Sequence, residues 1–373
     1  MLTRNLKRRV KRIVRPGLST ARYISCIHKD RAQNKRWLNA ERRILIVRDC
    51  VQAPDAYDVI LKWIEVTLPE VRSLFELRRF PCRVKDWSRY ALHVPWLPDP
   101  VQRWSPRIYS WANRLADKCD EHDIPIINRV ERLTNATKAI GSRLIASAGI
   151  RTPKTERIED IDEFRETFLG LEFPLIVRED WGHGGPMYRA ETPADLYKLP
   201  IERLQRPIAV EFIDVRNRDD GLYRKYRYVV VGDEGTTLHM HMTVDWITRG
   251  GNCERTESQF EEESDFLQME PRECRLFQKA RKALGLDFIA FDYGFTPEGE
   301  LIVWEANPFP LLHFPEKEHR MYRRPALERM LVSLVRLYVQ KANLPVPSRV
   351  DEVLATREGN QLSRNFAADK ENP

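Results

Sequence analysis

From Phe288 to Pro310 two runs of β-formers, FIAFDYGF and LIVWEA, flank Thr296-Pro297-Glu298-Gly299. Proline suits the second position of a turn and glycine the fourth, so the pattern predicts a β-hairpin. With those four residues as the loop, Phe295 pairs with Glu300 and Asp292 with Val303. Alternation then puts Asp292, Val303, Glu305 and Asn307 on one face, and Phe291, Ile302 and Trp304 on the other, towards a core. Two carboxylates and an amide oxygen sharing a face suit a hard cation. Mg²⁺ takes oxygen ligands, usually one or two carboxylates plus substrate phosphates. The plainer alternative is a solvated polar face.

The same reading extends along the chain. Ile44–Val47 reads as a buried strand, Ala56–Val66 as a helix, Phe75–Leu77 as a strand and Ile108–Asp120 as a helix, with a short strand at Ile124–Asn128. Three prolines in Val94–Pro100 exclude helix there. Alternating strands and helices over 44–128 predict a small α/β domain. Leu133, Ala136, Ile140, Leu144 and Ala148 form a helical stripe closed by Gly149 and Pro153. Phe173–Arg178 is a strand that runs into the glycine-rich Asp180–Pro186. There Gly182, Gly184 and Gly185 let backbone N–H groups approach an anion, and His183 either bonds that anion or shapes the loop.

Ile208–Asp214 and Gly221–Val231 are strands. In the second, Tyr223, Lys225 and Arg227 share a face, where two cations suit a phosphate or carboxylate. Thr237–Trp246 pairs with it and sets His239 beside His241, with no third metal ligand near in sequence. Thr248–Gln268 reads as a mobile polar loop and Pro271–Leu284 as a helix. Pro325–Ala342 is a closing amphipathic helix, and residues 346–373 are a polar tail.

Charge changes the picture at one end. The formal net charge is +7, yet residues 1–43 hold 14 Lys and Arg against Asp30 and Glu41, so the remaining 330 residues are net negative. A nucleic-acid role for the body is therefore not expected. The basic segment, with Leu2, Leu6, Val10 and Ile13 at helical spacing, suits an anionic membrane surface; nucleic-acid contact, a transit peptide or a solvated arm would carry the same pattern. The six cysteines are scattered without metal spacing, as in a reduced cytoplasmic protein. No run reaches the ~18 apolar residues of a membrane span.

An Asp on one strand followed by Glu-x-Asn-Pro at the end of the next resembles the ATP-grasp superfamily, which includes D-alanine–D-alanine ligase, glutathione synthetase and biotin carboxylase. The likeness covers roughly residues 44–342 and is firmest over 133–310. It implies an α/β (α+β) ATP-grasp fold behind a small α/β domain at 44–130, with subdomains at 131–212 and 213–345. It also implies ATP and Mg²⁺ as cofactors. Asp292, Glu305 and Asn307 match the metal ligands. Lys138, eleven residues before the closing Gly149, and Arg178, where Lys is usual, match the phosphate-binding cations. His183, Gly184 and Gly185 match the loop that covers the nucleotide. Glu211, Phe212 and Ile213 match the adenine linker, with Asp214, Asp219 or Asp220 at the ribose. Lys225 and Arg227 would stabilise the transferred group. D-alanine–D-alanine ligase carries an Arg two residues before the strand Asp; here that position is Ala290. The implied activity is ATP-dependent joining of a small-molecule or peptide carboxylate to an amine or thiol. Phosphorylation of a hydroxyl, or nucleotide binding without turnover, are the other readings.

Overall fold

The computed structural model describes residues 20–50, 55–180, 185–248, 255–315 and 317–358. The chain divides into two compact units, residues 1–131 with 311–373, and residues 132–310.

The first unit opens with helix α1 (Thr20–Trp37) and continues through β1 (Arg43–Arg48), α2 (Asp58–Thr67), β2 (Phe75–Arg79), β3 (Tyr90–Trp96) and α3 (Pro106–Asp120). The three strands form a parallel sheet in the order β2-β1-β3. Parallel pairing needs crossovers, and α2 supplies the one between β1 and β2. Ile60, Leu61, Trp63 and Ile64 of α2 are buried, while Val66, the last residue of the helix expected from the sequence, is exposed. Ile124–Asn128 makes one bridge, Ile126 to His93, rather than a full strand.

Most of the described part of the basic segment is α1, and it packs on the sheet instead of standing off it. Asn34 donates to the Leu77 carbonyl and accepts from the Leu77 N–H (2.8 and 2.9 Å), which satisfies the outer edge of β2. Asp30, 3% exposed, receives Arg48 from β1 (2.5 Å) and Arg79 from β2 (2.9 Å). Arg48 also donates to Asp58 of α2 (2.5 Å). Asp30→Asn would leave two buried guanidinium groups short of a counter-charge, and breaking a buried pair costs ~3–5 kcal/mol. A fall in urea midpoint of that size is the expected result; an unchanged midpoint would show that the network is not structural.

A 3₁₀ turn, Val130–Ala136, leads into the second unit and is followed by α4 (Lys138–Ser147). The stripe from Leu133 to Ala148 is therefore not one helix. Thr137 is extended (φ −64°, ψ 154°), and Gly141 lies so close to the preceding turn that a Cβ there would come within 3.2 Å of the Asn135 carbonyl oxygen. Next come β4 (Thr155–Arg157), α5 (Ile161–Thr167), β5 (Leu175–Glu179), β6 (Met187–Ala190) and β7 (Pro207–Glu211), whose strands form a four-stranded sheet ordered β4-β7-β5-β6. Its core includes Phe164, Leu175, Val177, Leu196 and Ala209.

A second four-stranded sheet, ordered β11-β10-β8-β9, is built from β8 (Tyr223–Val231), β9 (Glu234–Thr243), β10 (Phe288–Phe295) and β11 (Leu301–Asn307), with α6 (Glu257–Phe266) and α7 (Cys274–Leu284) between β9 and β10. The predicted polar loop at 248–268 thus contains a helix. Thr256 caps it in a capping box with Gln259. Its Glu263, fully buried, pairs with Arg255 and accepts from the Met240 N–H of β9 (3.0 Å). On the other side of α7, Phe277 packs against Tyr228, Phe291 and Tyr293 with ring centroids 5.0–5.4 Å apart.

The chain then returns to the first unit with α8 (Arg324–Lys341) and α9 (Ser348–Glu358), the latter within the stretch expected to be a polar tail. Tyr338 of α8 packs on Phe75, and Glu328 accepts from the Trp63 indole (3.3 Å). Among the described residues no helix is long and apolar enough to cross a membrane.

Candidate active site

The hairpin exists, but its register differs from the expected one. The connection has five residues, Thr296–Glu300, so Phe295 pairs with Leu301 and Tyr293 with Val303. Gly299, at φ +85°, takes the left-handed turn position that glycine adopts without strain. A β-bulge then inserts Trp304, and Asp292 stands opposite Glu305 and Ala290 opposite Asn307. The longer turn and the bulge each shift the register by one. Together they restore the parity, so Asp292, Glu305 and Asn307 share a face as expected. Val303 does not join them, because it pairs with Tyr293 on the side facing α7. Ile302, expected on that core side, pairs with Gly294 and lies on the face of Asp292. There it packs with Val215, Tyr223, Trp246 and Trp304.

A second bulge lies in the next hairpin. Tyr228 pairs with Thr237, Leu238 is the inserted residue, and Arg227 stands opposite His239. Since Arg227 also pairs with Asp292, the two bulges align Glu305, Asp292, Arg227 and His239 in one row across four strands. Lys225 and His241 form the adjacent pair on the same face. Bulges re-aim side chains and occur often beside active sites.

Within this row Asp292 is 4% exposed. Arg227 grips it with Nε and a terminal nitrogen (2.6 and 2.9 Å), and Lys225 Nζ lies 3.1 Å away. Burial alone would raise the Asp292 pKa, but Arg227 and then Lys225 hold the carboxyl well below its ordinary range. Burial works to lower the Arg227 pKa, and Asp292 reverses that and raises it. His239 is pushed well below its ordinary value by burial and then by Arg227, so it is a neutral imidazole. Its ring lies 4.4 Å from that of His241, centroid to centroid, and its Nε2 is buried with no hydrogen-bond partner among the described residues. The histidines were legible as a pair; their place beside Arg227 depends on the inserted Leu238.

The donor set of Asp292, Glu305 and Asn307 consists of hard oxygens and fits Mg²⁺. Asn307 Oδ1 also accepts from the Phe309 N–H (2.9 Å), which orients the amide. A cation at Asp292 would compete with Arg227 and Lys225 for the same carboxylate.

A separate cluster forms where α4 meets the end of β5. The Lys138 N–H donates to the Asp180 carbonyl (3.0 Å) and the Ala139 N–H to the Asp180 carboxylate (2.8 Å). Asp180, 1% exposed and also 3.3–3.4 Å from Arg206 and Arg157, caps α4 from the residue just beyond β5. It ties the helix that starts with Lys138 to the root of the glycine-rich loop, two residues beyond Arg178. This role was not anticipated from the sequence, which offers Thr137 as the local cap; the Thr137 side chain makes no cap bond, and Asp180 supplies it instead. Gly182, His183 and Gly184 lie outside the described residues. A Cβ on Gly185 would meet no atom within 4 Å.

At the end of β7 the Glu211 and Phe212 N–H groups donate to the carbonyls of Lys154 and Pro174 (2.9 and 3.2 Å). The Arg189 guanidinium lies 3.8 Å over the Phe212 ring, and Ile213 packs with Val215 and Trp246. Of the three ribose candidates, Asp220 is held by Arg224 through two bonds (2.5 and 3.1 Å), and Asp214 borders the linker and accepts from the Arg216 N–H. Asp219 is exposed, and its N–H donates to Asn217 (2.8 Å).

No protein-family model and no curated protein sequence matches the chain. Solved structures do. The VanG D-Ala:D-Ser ligase from Enterococcus faecalis superposes with a TM-score of 0.52 at 14% identity, over 80% of this chain and 100% of that one. A RimK domain protein ATP-grasp from Sphaerobacter thermophilus gives 0.50 at 13%, over 80% and 99%. The fold is the ATP-grasp fold. The D-alanine–D-alanine ligase from Bacillus anthracis, complexed with ATP, also matches at 0.50 and 12% identity, over 82% and 99%. ATP-grasp architecture accounts for two four-stranded sheets within one unit; the bulged row and the Asp180 cap are features read from this chain's own geometry.

Proposed function

We propose that the chain is an ATP-dependent ligase that activates a carboxylate as an acyl phosphate and passes the acyl group to an amine or thiol. The observation that carries this reading is the row Glu305–Asp292–Arg227–His239. It places two carboxylates and two cationic side chains, Arg227 and Lys225, on one largely buried sheet face. The ATP-grasp fold supports it, and two of the three structures named above are described as ligases.

In this reading Lys138 and Arg178 bind the ATP phosphates with the glycine-rich loop that includes His183, Gly184 and Gly185. Glu211, Phe212 and Ile213 border adenine. Their Glu211 and Phe212 N–H groups are already bonded, which leaves the purine to the remaining backbone groups of the linker. Asp292, Glu305 and Asn307 would hold Mg²⁺, which would supply positive charge against the ATP phosphates. Arg227 and Lys225 stabilise the equatorial oxygens of the transferred group, and β8 thereby supplies the positive charge that position 290, an alanine, does not. The carboxylate oxygen attacks the γ-phosphorus and ADP leaves; the amine or thiol then attacks the acyl carbon and phosphate leaves. Positioning and preorganised charge carry the rate, and no covalent enzyme intermediate is required.

Lys138→Ala and Arg178→Ala should each weaken ATP binding by ~10–100-fold, since a hydrogen bond to a charged group contributes ~1.5–3 kcal/mol. Lys138 contributes only its backbone N–H to the Asp180 cap, so its alanine variant keeps the helix start. Calorimetry showing unchanged affinity in both variants would remove this phosphate site. The activity itself is tested by ADP release across a panel of carboxylic acids, each alone and with an amine or a thiol. ADP release that depends on the acid supports the ligase. ATP binding with no release for any pair leaves nucleotide binding without turnover.

A further inference from the structure

The first unit carries a cleft that the proposed ATP chemistry does not use. It lies between α3 and the segment that follows β2, and its volume is about 690 Å³, within the ~300–1,000 Å³ of ligand sites. Its floor is apolar: Phe80, Trp87, Trp111 and Leu115. Its rim is basic. Arg83 comes from the segment after β2, and Arg107, Arg114 and Lys118 come from α3. No acidic side chain lines it among the described residues. Burial pushes the Cys82 thiol in its wall up to about 12, so that group is neutral.

The α3 residues are ordered. Arg107, Trp111, Arg114 and Lys118 recur at intervals of four, three and four, which is one helical stripe. The buried side of the same helix is a different set, Ile108, Ala112, Leu115, Ala116 and Cys119. All four rim cations are exposed, and Lys118, at the far end, is shared with Glu121. A charged stripe beside a tryptophan is often only a solvated helix face; here it borders a concave apolar floor and faces a further arginine across it.

We infer that this cleft binds an extended acidic peptide segment with an apolar or aromatic anchor residue. Three physical comparisons select that occupant. Arg107 and Lys118 are eleven positions apart, ~16 Å along a helix, whereas one carboxylate reaches only one or two of these cations. Five extended residues span ~16 Å at ~3.3 Å each, so acidic side chains at the two ends of such a segment reach cations at the two ends of the stripe, with the anchor between them. A single-stranded nucleic acid needs open ring faces on which bases stack. The rings here are stacked on protein neighbours, Trp111 on Phe80 (6.5 Å, 23°) and Trp87 on His122 (5.6 Å, 15°). A lipid surface calls for a protruding patch, and this site is concave. Charge complementarity sets the partner's sign and the aromatic floor sets its anchor, which is the usual anatomy of a peptide hot spot with a polar rim.

The test uses the full chain and a fluorescein-labelled Glu-Glu-Phe-Glu-Glu peptide, with Gln-Gln-Phe-Gln-Gln as the neutral control, followed by anisotropy at low and high salt. The acidic peptide should bind, the neutral one at least ten-fold more weakly, and salt should reduce the difference. The double variant Arg107→Glu/Arg114→Glu, both at exposed positions, should lose at least ten-fold in affinity with an unchanged circular dichroism spectrum. Lys62→Glu, an exposed charge reversal elsewhere in the unit, should bind like the parent. Trp111→Ala should weaken both peptides, through the anchor rather than the charge. Equal binding by the parent and the double variant would overturn the inference, as would no binding at millimolar peptide. So would a thymidine oligonucleotide or phosphatidylserine vesicles binding at this stripe in place of the peptide. The ATP site is not involved, so failure here leaves the ligase reading untouched, and failure of that reading leaves this one.

Discussion

Glu305→Gln should abolish ATP turnover, by at least 100-fold, and leave the fold as stable as the parent's to within about 1 kcal/mol. Asp292→Asn should lose turnover and stability together. The two carboxylates face each other across β10 and β11, yet their surroundings differ. Asp292 is held by Arg227 and Lys225 and is almost wholly buried. Neutralising it strands two partly buried cations, at ~3–5 kcal/mol for a broken buried pair. Glu305 is less buried, and its charge repels Asp292 while attracting Arg227, two effects of opposite sign. The pH dependence follows with its sign. The folded pKa of Asp292 is depressed, so its stabilisation is complete above the unfolded carboxyl value of ~3.9 and is lost as pH falls below it. Urea midpoints from pH 7 to pH 3 should drop for the parent and drop by less for Asp292→Asn, which keeps the other depressed carboxyls such as Asp58 and Glu76. A folded Glu305→Gln variant with parental turnover would remove the row from the active site. An Asp292→Asn variant of parental stability would show that its cation pairs carry no net weight.

Most strands of the second unit were legible because runs of β-formers with alternating burial leave a record in residue types, whereas β3, β4 and β6 were not expected. The hairpin could be placed for the same reason, whereas Lys138 and Arg178 were singled out only through the resemblance to the ATP-grasp superfamily. The register was not legible. An inserted residue such as Trp304 or Leu238 is an ordinary apolar strand residue and carries no local mark of a bulge, yet each moves a candidate site residue opposite its partner. The parity of Asp292 and Glu305 was reached because two single-residue shifts cancel, and Val303 and Ile302, which lie between those shifts, were assigned to the wrong faces. The helix expected from Leu133 was broken for a non-local reason: Asp180, 42 positions beyond Lys138, takes the first amide groups of α4. By contrast, the helix at Glu257–Phe266 carried a local signal, Thr256 with Gln259, and composition obscured it. The docking of α1 rested on Asp30, a lone acid among basic residues whose partners Arg48 and Arg79 come from two other strands.

Hydroxylamine should trap the reaction as a hydroxamate when ATP and the right carboxylic acid are present, with ADP rather than AMP as the nucleotide product. The reason lies in the charge layout. Arg227 and Lys225 both pair with Asp292, and in the proposed reaction positive charge gathered at that row would lower the barrier for transfer of the terminal phosphoryl group. A carboxylate acceptor then becomes an acyl phosphate, and a strong nucleophile intercepts it by attack at the acyl carbon with loss of phosphate. Arg227→Lys keeps one charge but replaces a planar two-bond grip with a point donor. It should lower ADP formation and hydroxamate yield in the same proportion, because both steps pass through one intermediate. Glu305→Gln should abolish both. A stable phosphate ester and no hydroxamate would point to a hydroxyl acceptor and a kinase on the same fold. AMP and pyrophosphate would contradict transfer of the terminal phosphoryl group and, with it, the role given to Asp292 and Glu305. Hydroxamate and ADP in equal amounts, lost together in Glu305→Gln, would separate the ligase from both alternatives.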